Sequence, residues 1–264
     1  MSDDPEEYEY HDLMAETWDL FRGDTSQWSD RFFYLECIEK YGQPALDVGC
    51  GTGRLLLDYL AQGIAIDGVD NSPEMLAVCS QKAGQMGLRP NLFEGWMESL
   101  TLPRTYRTIL VPSSAFQLLL EVDKARRAMR RFYEHLLDGG ALVMPFMVLW
   151  QPGDPLANTT WEMVGEETRP SDGTVFRKWS RARYDPVEQL EHTEDRYDKL
   201  VDGRVIIQER HNRSPATRWY TQAQAVALYY QAGFKQVQVM HEFTMQPARE
   251  EDTLFTVIGV RGEG

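Results

Sequence analysis

Cysteine is scarce in this chain. Three occur in 264 residues, Cys37, Cys50 and Cys79, and none forms a Cys-x-x-Cys pair. An odd, scattered set excludes a disulfide framework and a cysteine-based zinc centre, and no metal site is expected. Positive charge is also short: 27 Lys and Arg stand against 41 Asp and Glu, a net charge of −14. Binding to a nucleic-acid backbone needs phosphates neutralised by basic side chains, so nucleic acid is not the expected partner. Long apolar runs are missing. No stretch approaches the roughly 20 apolar residues of a membrane span. The opening Met1-Ser2-Asp3-Asp4 is acidic and is followed by no apolar segment, unlike a signal peptide. These absences lead to the expectation of a soluble, reduced, cytoplasmic protein with no membrane partner. At 264 residues and 42% hydrophobic, the chain has ample material for one sizeable core with an insertion.

The most informative stretch is Ala45-Leu46-Asp47-Val48-Gly49-Cys50-Gly51-Thr52-Gly53-Arg54. A short apolar run enters three glycines at alternate positions, and an amphipathic segment, Leu55 to Leu60, follows. That order predicts a buried strand, a tight turn and a helix N-terminus, where free N–H groups favour a polar or anionic ligand. A dinucleotide fold would need G-x-G-x-x-G, and Arg54 occupies the place of its third glycine. A P-loop sequence does not occur around these glycines.

Downstream, strand and helix alternate. Ile64 to Asp70 predicts a second strand with a carboxylate at its carboxyl end, the edge where open α/β sheets bind ligands, and such a group suits vicinal ribose hydroxyls. Ser72-Pro73 predicts a helix start. Strands follow at Asn91 to Glu94, Thr108 to Val111 and after Asp138-Gly139-Gly140, and Asp123 to Leu137 predicts a helix. Upstream, Tyr10 to Phe21 and Arg31 to Lys40 have helical period, while residues 1 to 9 are acidic and expected to fray.

The glycine stretch resembles motif I of the class I S-adenosylmethionine (SAM)-dependent methyltransferases, [DE]-x-G-x-G-x-G, through Asp47, Gly49, Gly51 and Gly53. Asp70-Asn71-Ser72-Pro73-Glu74-Met75-Leu76 resembles the family's D-x-S-P-x-M-L, and Leu137-Asp138-Gly139-Gly140 its strand-leading turn. The resemblance implies SAM as cofactor. It implies a doubly wound, seven-stranded, mostly parallel sheet ending in an antiparallel hairpin, with an inserted antiparallel β lid. It implies cofactor contacts from Asp47, Gly49, Cys50, Gly51, Gly53, Asp70, Asn71, Met75, Met97, Pro112 and Ser113. An N-terminal flap is implied too, contributing Tyr10 and Trp18, although His11, Ala15, Trp18 and Asp19 fall on a pattern in which the family has Tyr at the first and third of these places. The family places an Asp where this chain has Trp96. An indole cannot accept a hydrogen bond from an adenine amine, but it can cover the ring by stacking.

Between Gln151 and Arg213 the helical periods fade. Thr159 to Thr168, Thr174 to Tyr184, Glu188 to Leu200 and Val205 to Asn212 predict antiparallel strands joined by turn residues. The expected organisation is a core of residues 1–148 and 214–264, with a helical flap over 1–42, and a lid over 149–213 that is not an independent domain. Thr221 to Gln231 predicts a helix, and Phe234 to His241 and Thr253 to Val260 the final strands. Within the family, the insertion resembles the lids of small-molecule methyltransferases, including amino-sugar N-methyltransferases. The expected activity is in-line methyl transfer to a small-molecule N or O acceptor. Catalytic candidates are His211, Tyr220 and Glu209, with His192 a further one, and substrate candidates are Gln117, Arg218 and Trp219. A homodimer is compatible with the sequence. The competing readings are a non-catalytic SAM-binding protein and an NAD-type oxidoreductase.

Overall fold

In the computed structural model, which describes residues 10–262, the four residues of β1 (Ala45–Val48) are all buried. A strand buried on both faces belongs at the centre of a parallel sheet. Its neighbours are β2 (Ile66–Asp70) and β4 (Tyr106–Leu110), both parallel to it. Outward from these lie β3 (Leu92–Glu94) on one side and β5 (Leu136–Met147) on the other. Beyond β5, β11 (Leu254–Val260) runs antiparallel and carries β10 (Gln236–His241) at the edge. The seven-stranded order is β10-β11-β5-β4-β1-β2-β3. The chain therefore reverses its direction of travel across the sheet between β1 and β4, the place where open sheets leave a crevice.

Helices cover both faces. In chain order they are α1 (Asp12–Arg22), α2 (Ser29–Tyr41), α3 (Leu56–Ala61), α4 (Pro73–Met86), α5 (Val122–His135) and α6 (Gln222–Ala232). Their starts follow local chemistry. Ser72 caps α4 by accepting from the Met75 N–H, with Pro73 in the first turn, and Thr221 and Gln224 form a reciprocal capping box on α6. One apolar cluster holds Phe116, Phe132, Phe146 and Tyr229 between the sheet, α5 and α6, and another packs Phe33, Tyr34, Ile38 and Tyr59 on the opposite face.

A second, four-stranded antiparallel sheet is built from β6 (Glu162–Thr168), β7 (Val175–Asp185), β8 (Leu190–Val201) and β9 (Arg204–Arg218). It packs on α1. Leu13 and Met14 meet Phe176 and Tyr197, and Glu16 pairs with Lys199 and Arg169.

Two boundaries differ most from the sequence reading. The α5 helix stops at His135, and β5 begins at Leu136, ahead of the expected Gly139 turn. Gly139 takes a left-handed φ of +74° inside the strand and the register against β4 shifts there, so these glycines make a bulge rather than a strand-leading turn. The last lid strand runs to Arg218, beyond the expected end at Asn212 and beyond residue 213, through Pro215. The acidic segment expected to fray, residues 1–9, lies outside the described residues. Among the described residues no helix is long and apolar enough to cross a membrane.

Candidate active site

A cavity of about 330 Å3 opens at the carboxyl ends of β1, β2, β3 and β4. Its floor is the glycine turn. The N–H groups of Gly49 and Cys50 both donate to the Val69 carbonyl, at 2.8 and 3.1 Å, which binds the turn to the end of β2. Gly51 has φ +52°, and a Cβ there would point at open cavity with only Trp18 at 3.9 Å. Gly53 has a different role. A Cβ on it would sit 2.6 Å from Cys79 Sγ and 2.8 Å from Leu57, so this glycine serves helix packing.

Asp70, at the tip of β2, ties the floor together. Its Oδ2 accepts from the Gly51 N–H at 2.8 Å and its Oδ1 from the Ser72 N–H at 2.9 Å. Burial raises its carboxyl, and the N–H groups of Ser72, Gly51 and Asn71 work against that rise. Asp47 lies deeper in β1, 2% exposed. Burial pushes its carboxyl up to about 7, and Oδ1 has no hydrogen-bond partner.

The roof is α1 and Tyr10, two residues ahead of it. The Tyr10 and Trp18 rings lie 4.6 Å apart, and Arg22 stacks on Trp18 at 4.1 Å. Ser72 Oγ donates to the Tyr10 carbonyl, and Thr52 Oγ1 donates to Asp19, so roof and floor are joined by hydrogen bonds. Arg54, in the position where a dinucleotide fold needs glycine, lines the cavity and forms a bidentate pair with buried Asp30. The remaining wall combines Trp96, Met97 and Glu98 after β3 with Pro112 to Ala115 and Leu118 to Glu121 after β4, and Lys124 of α5. Ser113 holds φ +57°, a left-handed conformation costly for a residue with a side chain.

Of the cofactor candidates read from the sequence, Tyr10, Trp18, Asp47, Gly49, Cys50, Gly51, Asp70, Asn71, Met75, Trp96, Met97, Pro112 and Ser113 all line this cavity. Gly53 does not. The structure does not bring the catalytic candidates to it. His211 is buried on the face of β9 toward α1, with His11 at 4.8 Å and Tyr197 at 5.4 Å. Glu209 Oε2 accepts from the Leu13 N–H. Tyr220 sits in the aromatic core beside Phe116 and Phe146, its phenol pushed up to about 12 by burial. His192 pairs with Ser214. Among the substrate candidates, Gln117 is fully buried and clamps the Met147 and Arg218 backbones. Arg218 donates to the Leu120 and Glu188 carbonyls, and Trp219 packs near Tyr184. Thr52, Arg22, Glu98, Glu121 and Lys124 line the cavity without having been singled out from the sequence.

Residues 45–140 match the family described as methyltransferase domain. The chain is a SAM-dependent methyltransferase. The methyltransferase is 24% identical over 230 residues to a putative methyltransferase of Geobacillus sp., covering 85% of this chain and 89% of that one. In fold it is similar to a SAM-dependent methyltransferase from Clostridium acetobutylicum (TM-score 0.73, 18% identity, 91% and 93% of the two chains). It is also similar to a sugar N-methyltransferase from Streptoalloteichus sp. (TM-score 0.70, 21% identity, 100% of each chain). The reading as an NAD-type oxidoreductase is thereby set aside.

Proposed function

We propose that this methyltransferase carries the methyl group of SAM to an amine of a small polar molecule. Bound SAM supplies an activated methyl on a positively charged sulfur, open to in-line displacement. The residues present suit that cofactor. Asp70 presents a buried carboxylate to the ribose diol, and Asp47 Oδ1, buried and unpartnered, suits the α-ammonium. The N–H groups of the glycine turn suit the carboxylate. Tyr10 and Trp18 exclude water from above, and Ser113 and Ser114 border the acceptor side.

The observation that favours an amine is the lining chemistry. Among the described residues that line the cavity there is no histidine, burial pushes the Tyr10 phenol up to about 12, and the carboxylates present, Asp47, Asp70, Glu98 and Glu121, suit a cationic or amine group. A hydroxyl acceptor needs a base within reach, whereas an amine that enters neutral offers its lone pair directly. The likeness to a sugar N-methyltransferase over the whole chain points the same way. The test is turnover with SAM against panels of amino sugars, amino acids, phenols and carboxylic acids, reading S-adenosylhomocysteine release. Amines are expected to react. Turnover confined to phenols or acids would overturn the amine assignment. Tight SAM binding with no turnover on any panel would favour a non-catalytic protein.

A further inference from the structure

The α1 helix roofs the cavity, and its first turn is capped from other parts of the chain. A helix leaves its first N–H groups without partners inside the helix. The His11 ring, at the N-cap position, turns to the Asp12 carboxylate at 2.8 Å rather than to those groups. Two carboxylates reach them instead. Glu74 Oε2 of α4 accepts from the Asp12 N–H at 2.9 Å, and Glu209 Oε2 of β9 accepts from the Leu13 N–H at 2.8 Å. Each brings a negative charge to the positive end of the helix. Asp12 has φ +50°, a left-handed conformation that a residue with a side chain keeps only where its surroundings enforce it.

The two carboxylates differ in what carries them. Glu74 stands in the helix that follows Asp70 and Ser72, on the side of the cavity floor. Glu209 stands in the antiparallel sheet, 196 positions from Leu13. It is in register with Tyr197 of β8, which packs against Leu13 and Met14, and His211 Nε2 lies 3.6 Å from its Oε2. The His211 ring in turn lies 4.8 Å from that of His11. This contact is the seam between lid and roof. Tyr10 stands just ahead of it in the chain and Trp18 farther along the same helix, and both line the cavity.

We infer that Glu209 is a positioning residue for methyl transfer: from the lid it supplies the capping acceptor of α1 and so holds Tyr10 and Trp18 over the cofactor. It acts through the Leu13 backbone and lies outside the cavity lining. This rests on SAM being the cofactor and goes beyond it in giving the lid a part in keeping that cofactor enclosed. Loss of a capping acceptor shifts the balance between docked and released helix by roughly 2- to 30-fold. A roof released more often lets the cofactor leave sooner, so the same factor is expected in its dissociation rate.

The experiment loads wild type, Glu209→Ala, Glu209→Asp and Glu209→Gln with radiolabelled S-adenosylhomocysteine and chases the label with unlabelled ligand. Hydrogen exchange follows the α1 amides of the same loaded proteins. Glu209→Ala is expected to release the label roughly 2- to 30-fold faster, with faster exchange in the first turn of α1. Glu209→Asp keeps the charge but draws the oxygen back from Leu13, and is expected to release fast as well. Glu209→Gln keeps an accepting oxygen at full reach and is expected to restore most of the slow release. Fast release from Glu209→Gln with slow release from Glu209→Asp would trace the effect to charge alone and overturn the inference. Release at the wild-type rate from Glu209→Ala and Glu209→Asp, with a lowered melting temperature, would reduce Glu209 to a support of the sheet and overturn it too. Failure of the wild type to bind the ligand would overturn the cofactor together with the inference.

Discussion

The Asp47 carboxyl makes the stability of this protein depend on pH in an unusual direction. Most structural carboxylates are held ionised by partners, so acid weakens the fold. Asp47 is 2% exposed, and burial pushes its carboxyl from 3.8 to about 7. Asp70 adds to that rise, while Arg54 and the Leu56 N–H oppose it. Between those values the folded chain keeps a proton that the unfolded chain has released. Stability from this group is therefore complete below pH 4, falls as pH rises and is lost above about 7. The full displacement corresponds to about 4 kcal/mol, of which about 3 kcal/mol falls between pH 5 and 8. Replacement by Asn keeps the shape and removes the titration. Urea unfolding at pH 5, 6, 7 and 8, without ligand, compares the two proteins. Wild type should lose stability relative to Asp47→Asn across that range, with Asp70, also raised by burial, leaving a residual slope in the variant. Parallel stability curves for the two proteins would refute the reasoning.

Asp70→Ala should weaken S-adenosylhomocysteine binding by roughly 10- to 100-fold, because it removes charged acceptors for the ribose and frees the Gly51 N–H, and calorimetry would show it. Gly53→Ala should destabilise the fold by about 2–4 kcal/mol in thermal unfolding, since the new Cβ meets Cys79 and Leu57 at a left-handed φ of +86°. Asp67→Ala should cost about 2–3 kcal/mol, measured by denaturant titration, because it strands the buried Tyr106 hydroxyl and the Arg104 guanidinium. Ligand affinity of the folded Asp67→Ala protein should stay at the wild-type value, as that cluster does not line the cavity.

Local signals made the floor of the cavity legible. A strand, its glycine turn and the following helix are contiguous, as are Asp70 and the Ser72 cap, so chain order alone places them. The roof contact of Glu209 was not legible in that way, because its partner Leu13 lies 196 positions away. His211, Glu209 and Tyr220 stand in or beside a strand whose polarity alternates poorly, and sequence does not say which face of such a strand meets which layer. The structure turns Glu209 to the Leu13 backbone and Tyr220 into the aromatic core. Pro215 and the charged residues around it disguised the end of β9, because a proline inside an apolar-polar pattern reads as a break.

The α1 helix touches both compartments of the molecule. Asp19 holds the glycine turn through Thr52, while Glu16 and the Leu13 backbone hold the antiparallel sheet through Lys199 and Glu209. A substitution in α1 that loosens Asp19 or Glu16 is therefore expected to disturb the cavity floor and the antiparallel sheet together, and a ligand held on the floor is expected to steady that sheet as well.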